Sequence, residues 1–146
     1  MNSDGREQLM VWTLRGLAAS FAVVGLLFLF APDGTLAFGD ALGARLGTFA
    51  PAPPTGAKLW LSLAVSYMAL VTALAYLAAR DVRANAGLLR ILALGKAASS
   101  LTSLVFFLSE ARVFIYLLNF VVDGGIALLV LGCWRWIRGM RATNGG

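Results

Sequence analysis

Two apolar stretches in the second half of the chain contain polar side chains at helical spacing. Residues three, four or seven apart share one face of a helix, so each set predicts a polar stripe. A charged group near the middle of a membrane helix costs roughly 2.5 to 3.5 kcal/mol on insertion scales, so such a group normally faces the protein interior and has a partner or a function. The six candidate site residues are Lys96, Ser99 and Ser103 in one stretch and Tyr116, Asn119 and Asp123 in the next.

The two stripes are predicted to face each other. Only residues 109–112 separate the stretches, which indicates antiparallel neighbouring helices. At 1.5 Å per residue, Lys96 lies roughly 12 Å and Asp123 roughly 16 Å from the same end of this helical hairpin. A lysine side chain spans that difference, so we predict a Lys96–Asp123 ion pair that is assisted by Asn119 and the serines.

Three roles for such a cluster are compatible with the sequence. The pair could only fix the register of two helices, as some buried polar groups do. The same groups could line a cavity that holds a polar ligand, a lipid or quinone headgroup, or a proton. Part of the stripe could instead pair with a helix of another protein.

The residues for common enzymatic sites are scarce. The chain has no histidine and a single cysteine, Cys133, which excludes an internal disulfide and any histidine-dependent zinc site, triad or haem within the chain. The Gly124-Gly125 pair lies inside an apolar stretch without a preceding strand, unlike a phosphate-binding loop. We therefore expect a non-enzymatic protein with no metal and no resident cofactor, and we interpret Cys133 as a packing residue, with a reactive or lipidated thiol as the alternative.

The composition is that of a membrane protein. Sixty per cent of the 146 residues are apolar and 13% are charged, and the mean hydropathy is +0.81, outside the range of ordinary soluble domains. The length allows about four spans of roughly 20 residues but no additional soluble domain of ordinary size. The net charge of +5 comes from basic residues that flank the apolar stretches, so it favours helix orientation rather than nucleic-acid binding.

These features predict an all-α polytopic membrane protein, a single domain over residues 1–146 that forms a four-helix bundle. A secretory signal peptide is the alternative for the first stretch, but that apolar run is long and three more follow. The mild polar residues of the second stretch, Tyr67 among them, are interpreted as packing contacts. The predicted spans are residues 9–31, 57–79, 87–109 and 113–137.

The connection between the first two spans, residues 32–56, is unusually long. It begins with Pro32-Asp33-Gly34, is too long for a turn and is not apolar enough to cross a membrane. A short helix on the membrane surface and a partly ordered loop folded over the end of the bundle are both compatible with its sequence.

The arginines predict the topology. With four spans, one side carries eight basic residues and the other side three, so the positive-inside rule places both termini in the cytoplasm and residues 32–56 outside. The Ala-, Leu- and Arg-rich composition indicates a bacterial inner membrane. The first side has Arg6, Arg15, Arg80, Arg83, Arg90, Arg135, Arg138 and Arg141, and the second has Arg45, Lys58 and Arg112.

The layout resembles that of the DoxX-like small bacterial membrane proteins. It shares with them four short spans, an arginine near the start of the first span (Arg15) and a longer outer connection to the second. Some members of that group accompany redox or respiratory enzymes, which the resemblance implies for this chain. Small multidrug transporters also have four helices, but they depend on a membrane-embedded glutamate in the first helix, and this first span has none.

By elimination, the sequence favours an accessory or structural subunit of a larger membrane complex, or one that associates with itself. The lipid bilayer and other membrane subunits are then its expected partners, and nucleic acid is not. The alternative is a small transporter or a lipid- or quinone-binding protein that uses Lys96, Asn119 and Asp123 in an internal cavity.

Overall fold

The computed structural model describes residues 3–53, 58–110 and 112–144, and these residues form five α-helices and no strand. Four of the helices contain a stretch long and apolar enough to cross a membrane. The prediction of an all-α, four-helix membrane bundle is therefore confirmed. The helices are α1 (Ser3–Phe30), α2 (Pro32–Leu46), α3 (Lys58–Arg80), α4 (Ala86–Ser109) and α5 (Phe114–Asn144).

Two helices are longer than the apolar stretches from which they were predicted. Helix α1 begins at Ser3, before the apolar span predicted from residue 9, and α5 continues to Asn144, beyond the span predicted to end at residue 137. Hydropathy marks only the part of a helix that suits hydrocarbon, whereas backbone hydrogen bonds continue into polar sequence on either side. Both helices therefore extend past the expected membrane boundary.

The four long helices form two antiparallel hairpins, α1 with α3 and α4 with α5, and α3 packs against α4. An ion pair of 2.6 Å between Arg83 Nη2 and Glu7 Oε2 ties the turn after α3 to the start of α1. Arg90 near the start of α4 lies over the ring of Trp134 near the end of α5. The first residues of α1 and α4 and the last residues of α3 and α5 consequently share one end of the bundle, here called the basic end.

An apolar core fills the half of the bundle nearest the basic end. Small residues of α3, Ala75, Ala78 and Ala79, are buried and let the neighbouring helices approach closely. Phe21 is the last large buried side chain along α1, so this core ends near the middle of the bundle. Its fully buried large side chains are Leu14, Val71, Val82, Leu89, Leu92, Val130 and Ile137.

The long connection contains helix α2, so this segment is helical. Its position on a membrane surface stays a prediction. The face by which α2 meets α5 is made of glycine. A Cβ added at Gly39 would lie 3.0 Å from Cδ1 of Ile115, and one added at Gly43 would lie 2.6 Å from Cβ of Phe114. Glycine is thus required for the helix axis to come this close to α5.

The chain that follows α2 is held against the same end of α5. Both carboxylate oxygens of Asp40 accept hydrogen bonds from the backbone N–H of Ala52, at 3.0 and 3.1 Å. The backbone N–H of Ala50 donates to the carbonyl of Arg112, and the ring of Phe49 packs edge-on against Phe114 with centroids 5.2 Å apart. The long connection is therefore docked on α5.

Candidate functional site

Lys96 and Asp123 form a buried ion pair between α4 and α5. Lys96 Nζ lies 2.9 Å from Asp123 Oδ1, and the two side chains are only 3% and 6% exposed. Both residues lie well inside their helices, and the antiparallel arrangement brings them to the same level. This is the pairing that the helical spacing predicts.

A second set of hydrogen bonds links the same two helices one turn farther from the basic end. Asn119 Nδ2 donates to Ser103 Oγ at 2.7 Å and to Ser99 Oγ at 3.2 Å. A side-chain amide has two N–H groups, so both of its donors are used here. Lys96, Ser99, Ser103, Asn119 and Asp123 therefore form one continuous polar seam.

Close approach of α4 and α5 beside this seam depends on a serine and a glycine. Ser100 Oγ donates to the backbone carbonyl of Phe120 at 2.8 Å. A Cβ added at Gly124 would lie 3.0 Å from the same Ser100 oxygen, so glycine leaves the room that this hydrogen bond needs.

Tyr116 is the one predicted site residue that lies apart from the others. Its ring packs against Phe106, with centroids 5.8 Å apart, and it does not line the cavity described below. Tyr116 shares a helix face with Asn119 and Asp123, but it lies closer to the far end of the bundle. A shared face therefore did not bring it into the same site.

Two aromatic residues from the other hairpin complete the surroundings of Lys96. Its ammonium nitrogen lies 4.3 Å from the ring centroid of Phe21 on α1 and 5.4 Å from that of Tyr67 on α3. Cations are attracted to ring faces at such distances. The sequence favours a packing role for Tyr67 and does not indicate Phe21, because spacing along one helix does not show which residues of another helix it will meet.

The ion pair borders a cavity of about 440 Å³. All four long helices contribute to its wall. Val24 on α1 and Val122 on α5 line it and are 37% and 48% exposed, so the cavity is open between these two helices. Its polar lining consists of Ser20, Tyr67, Lys96, Ser99, Asn119 and Asp123, and its apolar lining includes Leu17, Phe21, Phe28, Ala64, Met68 and Ile126.

Tyr67 brings an unused hydrogen-bonding group to this cavity. Its hydroxyl is buried and has no hydrogen-bond partner among the described residues. Ser99 is its polar neighbour and interacts with the hydroxyl, but at a geometry outside that of a hydrogen bond. The Ser99 Oγ accepts a hydrogen bond from Asn119. A buried polar group without a partner costs roughly 1 to 3 kcal/mol, so such groups commonly point to a missing partner.

The described residues contain no group of three or more histidine, cysteine, aspartate or glutamate side chains placed to hold a metal ion. The side chains that line the cavity offer hydrogen bonding and electrostatic interactions in a mostly apolar space. No protein-family model matches the sequence, and searches of curated proteins and of solved structures found no match.

Proposed function

We propose that this protein is a non-enzymatic integral membrane protein that binds a membrane-soluble lipid or quinone, with the polar head of that ligand in the cavity beside Lys96 and Asp123. The observation that carries the proposal is that the buried ion pair lines an open space of about 440 Å³. The two side chains are only 3% and 6% exposed, so a ligand head meets the pair at the cavity wall without displacing it. A volume of this size lies within the range of small-molecule sites.

The charges of the site favour a neutral ligand head. Lys96 and Asp123 neutralise each other at 2.9 Å, and a ligand that separated them would leave one charge unpaired in a poorly solvated environment.

The unused hydrogen-bond donors of the site favour an oxygen acceptor on the ligand. Asp123 accepts one of the three ammonium N–H groups of Lys96, and the Tyr67 hydroxyl has no partner. A quinone carbonyl or a lipid ester or hydroxyl group has the required chemistry.

The apolar part of the site suits the rest of such a molecule. The lateral opening between α1 and α5 allows an isoprenoid or acyl tail to remain in the bilayer while the head lies inside. The resemblance to DoxX-like proteins, some of which accompany respiratory enzymes, supports a quinone in particular. We also propose a bacterial inner membrane, which the Ala-, Leu- and Arg-rich composition favours, with both termini in the cytoplasm, which the arginines at the basic end favour.

Replacing Tyr67 by phenylalanine tests this function. We expect Tyr67→Phe to weaken binding of a short-chain ubiquinone analogue about tenfold, the effect of losing one hydrogen bond of about 1.4 kcal/mol. The ligand-free variant should unfold at the same temperature as the wild type or slightly higher, because it loses a buried hydroxyl without a partner. Binding is measured by equilibrium dialysis with detergent-purified protein, and stability by thermal unfolding.

The matched control is Tyr76→Phe, on the same helix. Tyr76 is exposed and does not line this cavity, so its variant should bind like the wild type. Binding is also measured independently, by extracting quinone from the purified wild-type protein and quantifying it by mass spectrometry. Equal binding by both variants, together with a loss of stability in Tyr67→Phe alone, would show that Tyr67 is structural.

The accessory-subunit role is a second candidate, favoured by exposed glycines on α5. Gly125 and Gly132 are seven residues apart, and a Cβ added at either would meet nothing within 4 Å. Small residues on an exposed face allow a second membrane helix to approach closely. Native mass spectrometry of the protein extracted from its own membrane distinguishes the two candidates, since an accessory subunit should retain other chains at fixed stoichiometry and lose them in a Gly125→Leu, Gly132→Leu variant.

A further inference from the structure

Two arginines converge on one tryptophan at the basic end. The Cζ atoms of Arg90 and Arg138 lie 5.2 and 5.0 Å from the ring centroid of Trp134. Neither arginine forms an ion pair with a carboxylate in the described part of the chain. Two guanidinium groups on one ring repel each other, so this arrangement favours an anion between or beside them.

Arg90 also stands at the head of an apolar groove of about 660 Å³ between α4 and α5. From Gly87 to Ala97, the groove follows ten residues of α4, or roughly 15 Å. This is about half of the 30 Å hydrocarbon thickness of a bilayer, the depth of one leaflet. The groove shares no lining residue with the cavity beside Lys96 and Asp123, and the remainder of its wall includes Ile91, Leu94, Leu128 and Leu131.

The groove is open to the surroundings of the bundle. Ile91, Leu94 and Leu128 are 55%, 71% and 72% exposed, whereas the small residues Gly87 and Ala97 leave space between these larger side chains. Trp134 at its head is of the residue type that is enriched where membrane helices meet the headgroups. The surface thus combines an acyl-chain-sized apolar channel with cationic groups at the expected headgroup level.

We propose that this groove binds an anionic glycerophospholipid from the leaflet at the basic end. The phosphate lies with Arg90 and Arg138, whose planar guanidinium groups match phosphate oxygens, and one acyl chain follows the groove along α4. The site recognises a charged headgroup and a tail together. It is independent of the cavity and of the ligand proposed there.

Lipid titration of the full-length protein in detergent tests this site. Thermal unfolding is followed while dioleoyl phosphatidylglycerol or dioleoyl phosphatidylcholine is added, and the apparent affinity is taken from the rise in midpoint. We expect the wild type to prefer phosphatidylglycerol. An Arg90→Gln, Arg138→Gln variant should bind it about 30-fold more weakly, roughly fivefold for each arginine, and lose the preference.

Arg15→Gln is the matched control. Arg15 lies 5.5 Å from the ring of Trp12 on α1 in the same type of contact, but it does not line the groove, so its variant should keep the wild-type affinity and preference. The proposal would be overturned if the wild type bound the two lipids with equal affinity. It would also be overturned if Arg15→Gln and the double variant lost affinity for phosphatidylglycerol to the same extent. Stabilisation by inorganic phosphate alone to the same extent would also overturn it, because the tail would then be unnecessary.

Two measurements keep the test valid if the double variant does not fold. The wild-type affinity for phosphatidylglycerol should fall as sodium chloride rises from 50 to 500 mM, since salt screens the arginine–phosphate attraction. Ala97→Leu narrows the groove and retains both arginines, and it should weaken binding of the lipid about fivefold. Insensitivity to salt together with unchanged binding by Ala97→Leu would refute the site.

Discussion

At the scale of single residues, removing one partner of the Lys96–Asp123 pair is expected to be strongly destabilising. Lys96→Met or Asp123→Leu alone leaves a buried charge without its partner, and each should lower the free energy of unfolding by about 3 to 5 kcal/mol. Combining the two substitutions removes both charges and replaces them by apolar side chains of comparable size. The double variant should therefore recover most of the lost stability, as measured by reversible unfolding in detergent.

The comparison of single and double variants isolates the pair itself. Ser109→Ala is a suitable control on α4, because the Ser109 hydroxyl is exposed and donates only to the carbonyl of Val105 in its own helix. This change should alter stability by less than about 0.5 kcal/mol. Additive losses in the double variant would mean that Lys96 and Asp123 act independently, contrary to the 2.9 Å contact between them.

The polar seam could be predicted from sequence because its chemistry and its geometry are both local. Lys96 and Asp123 lie in apolar stretches that would not tolerate them unpaired, and a short turn fixes the register of the two helices. The aromatic groups around Lys96 could not be predicted in this way. Phe21 and Tyr67 reach the site from α1 and α3, and their positions depend on how the two hairpins pack, which periodicity within a single helix does not encode.

At the scale of helices, the docking of α2 on α5 is expected to depend on one glycine. An alanine at Gly43 would place its Cβ 2.6 Å from Cβ of Phe114, an atom that cannot move without its backbone. We expect Gly43→Ala to lower the unfolding free energy by about 1 to 3 kcal/mol, as overpacking does, and to increase amide hydrogen exchange in residues 32–46.

Gly34→Ala is the control within α2. An added Cβ there would lie 3.8 Å from Cβ of Ala31, an ordinary contact, and alanine is the better helix former by about 0.5 to 1 kcal/mol. This variant should be unchanged or slightly stabilised, with slower exchange in α2. If Gly34→Ala and Gly43→Ala had the same unfolding free energy and the same amide exchange in α2, close contact with α5 would not be what holds α2.

The contact between the glycines of α2 and α5 explains why the long connection could not be assigned as helix or loop from the sequence. The four long helices follow from hydropathy, because hydrocarbon requires about 20 apolar residues in a span. Helix α2 instead buries glycines, while Phe38 and Leu46 are exposed. A pattern of apolar residues therefore gives no sign of its buried face, and a helix and a loop were equally compatible with it.

At the scale of the whole molecule, the distribution of arginines is expected to set the direction of insertion. The basic end carries most of the cationic residues, whereas the opposite end, where α2 docks, has Arg45, Lys58 and Arg112. Cytoplasmic retention of short arginine-rich segments then places the basic end in the cytoplasm. Gln8 near the start of α1 should accordingly be cytoplasmic, and Thr48 after α2 should be outside.

Single cysteines at these two exposed positions test the direction in a Cys133→Ala background. A membrane-impermeant maleimide should label Thr48→Cys in right-side-out bacterial spheroplasts, and it should label Gln8→Cys only after the membrane is permeabilised. Labelling of both after permeabilisation controls for accessibility of the thiols, and the Cys133→Ala protein without an added cysteine gives the background. Labelling of Gln8→Cys in intact spheroplasts, with Thr48→Cys protected, would mean that the arginines at the basic end do not direct insertion and that the lipid groove at that end faces the outer leaflet.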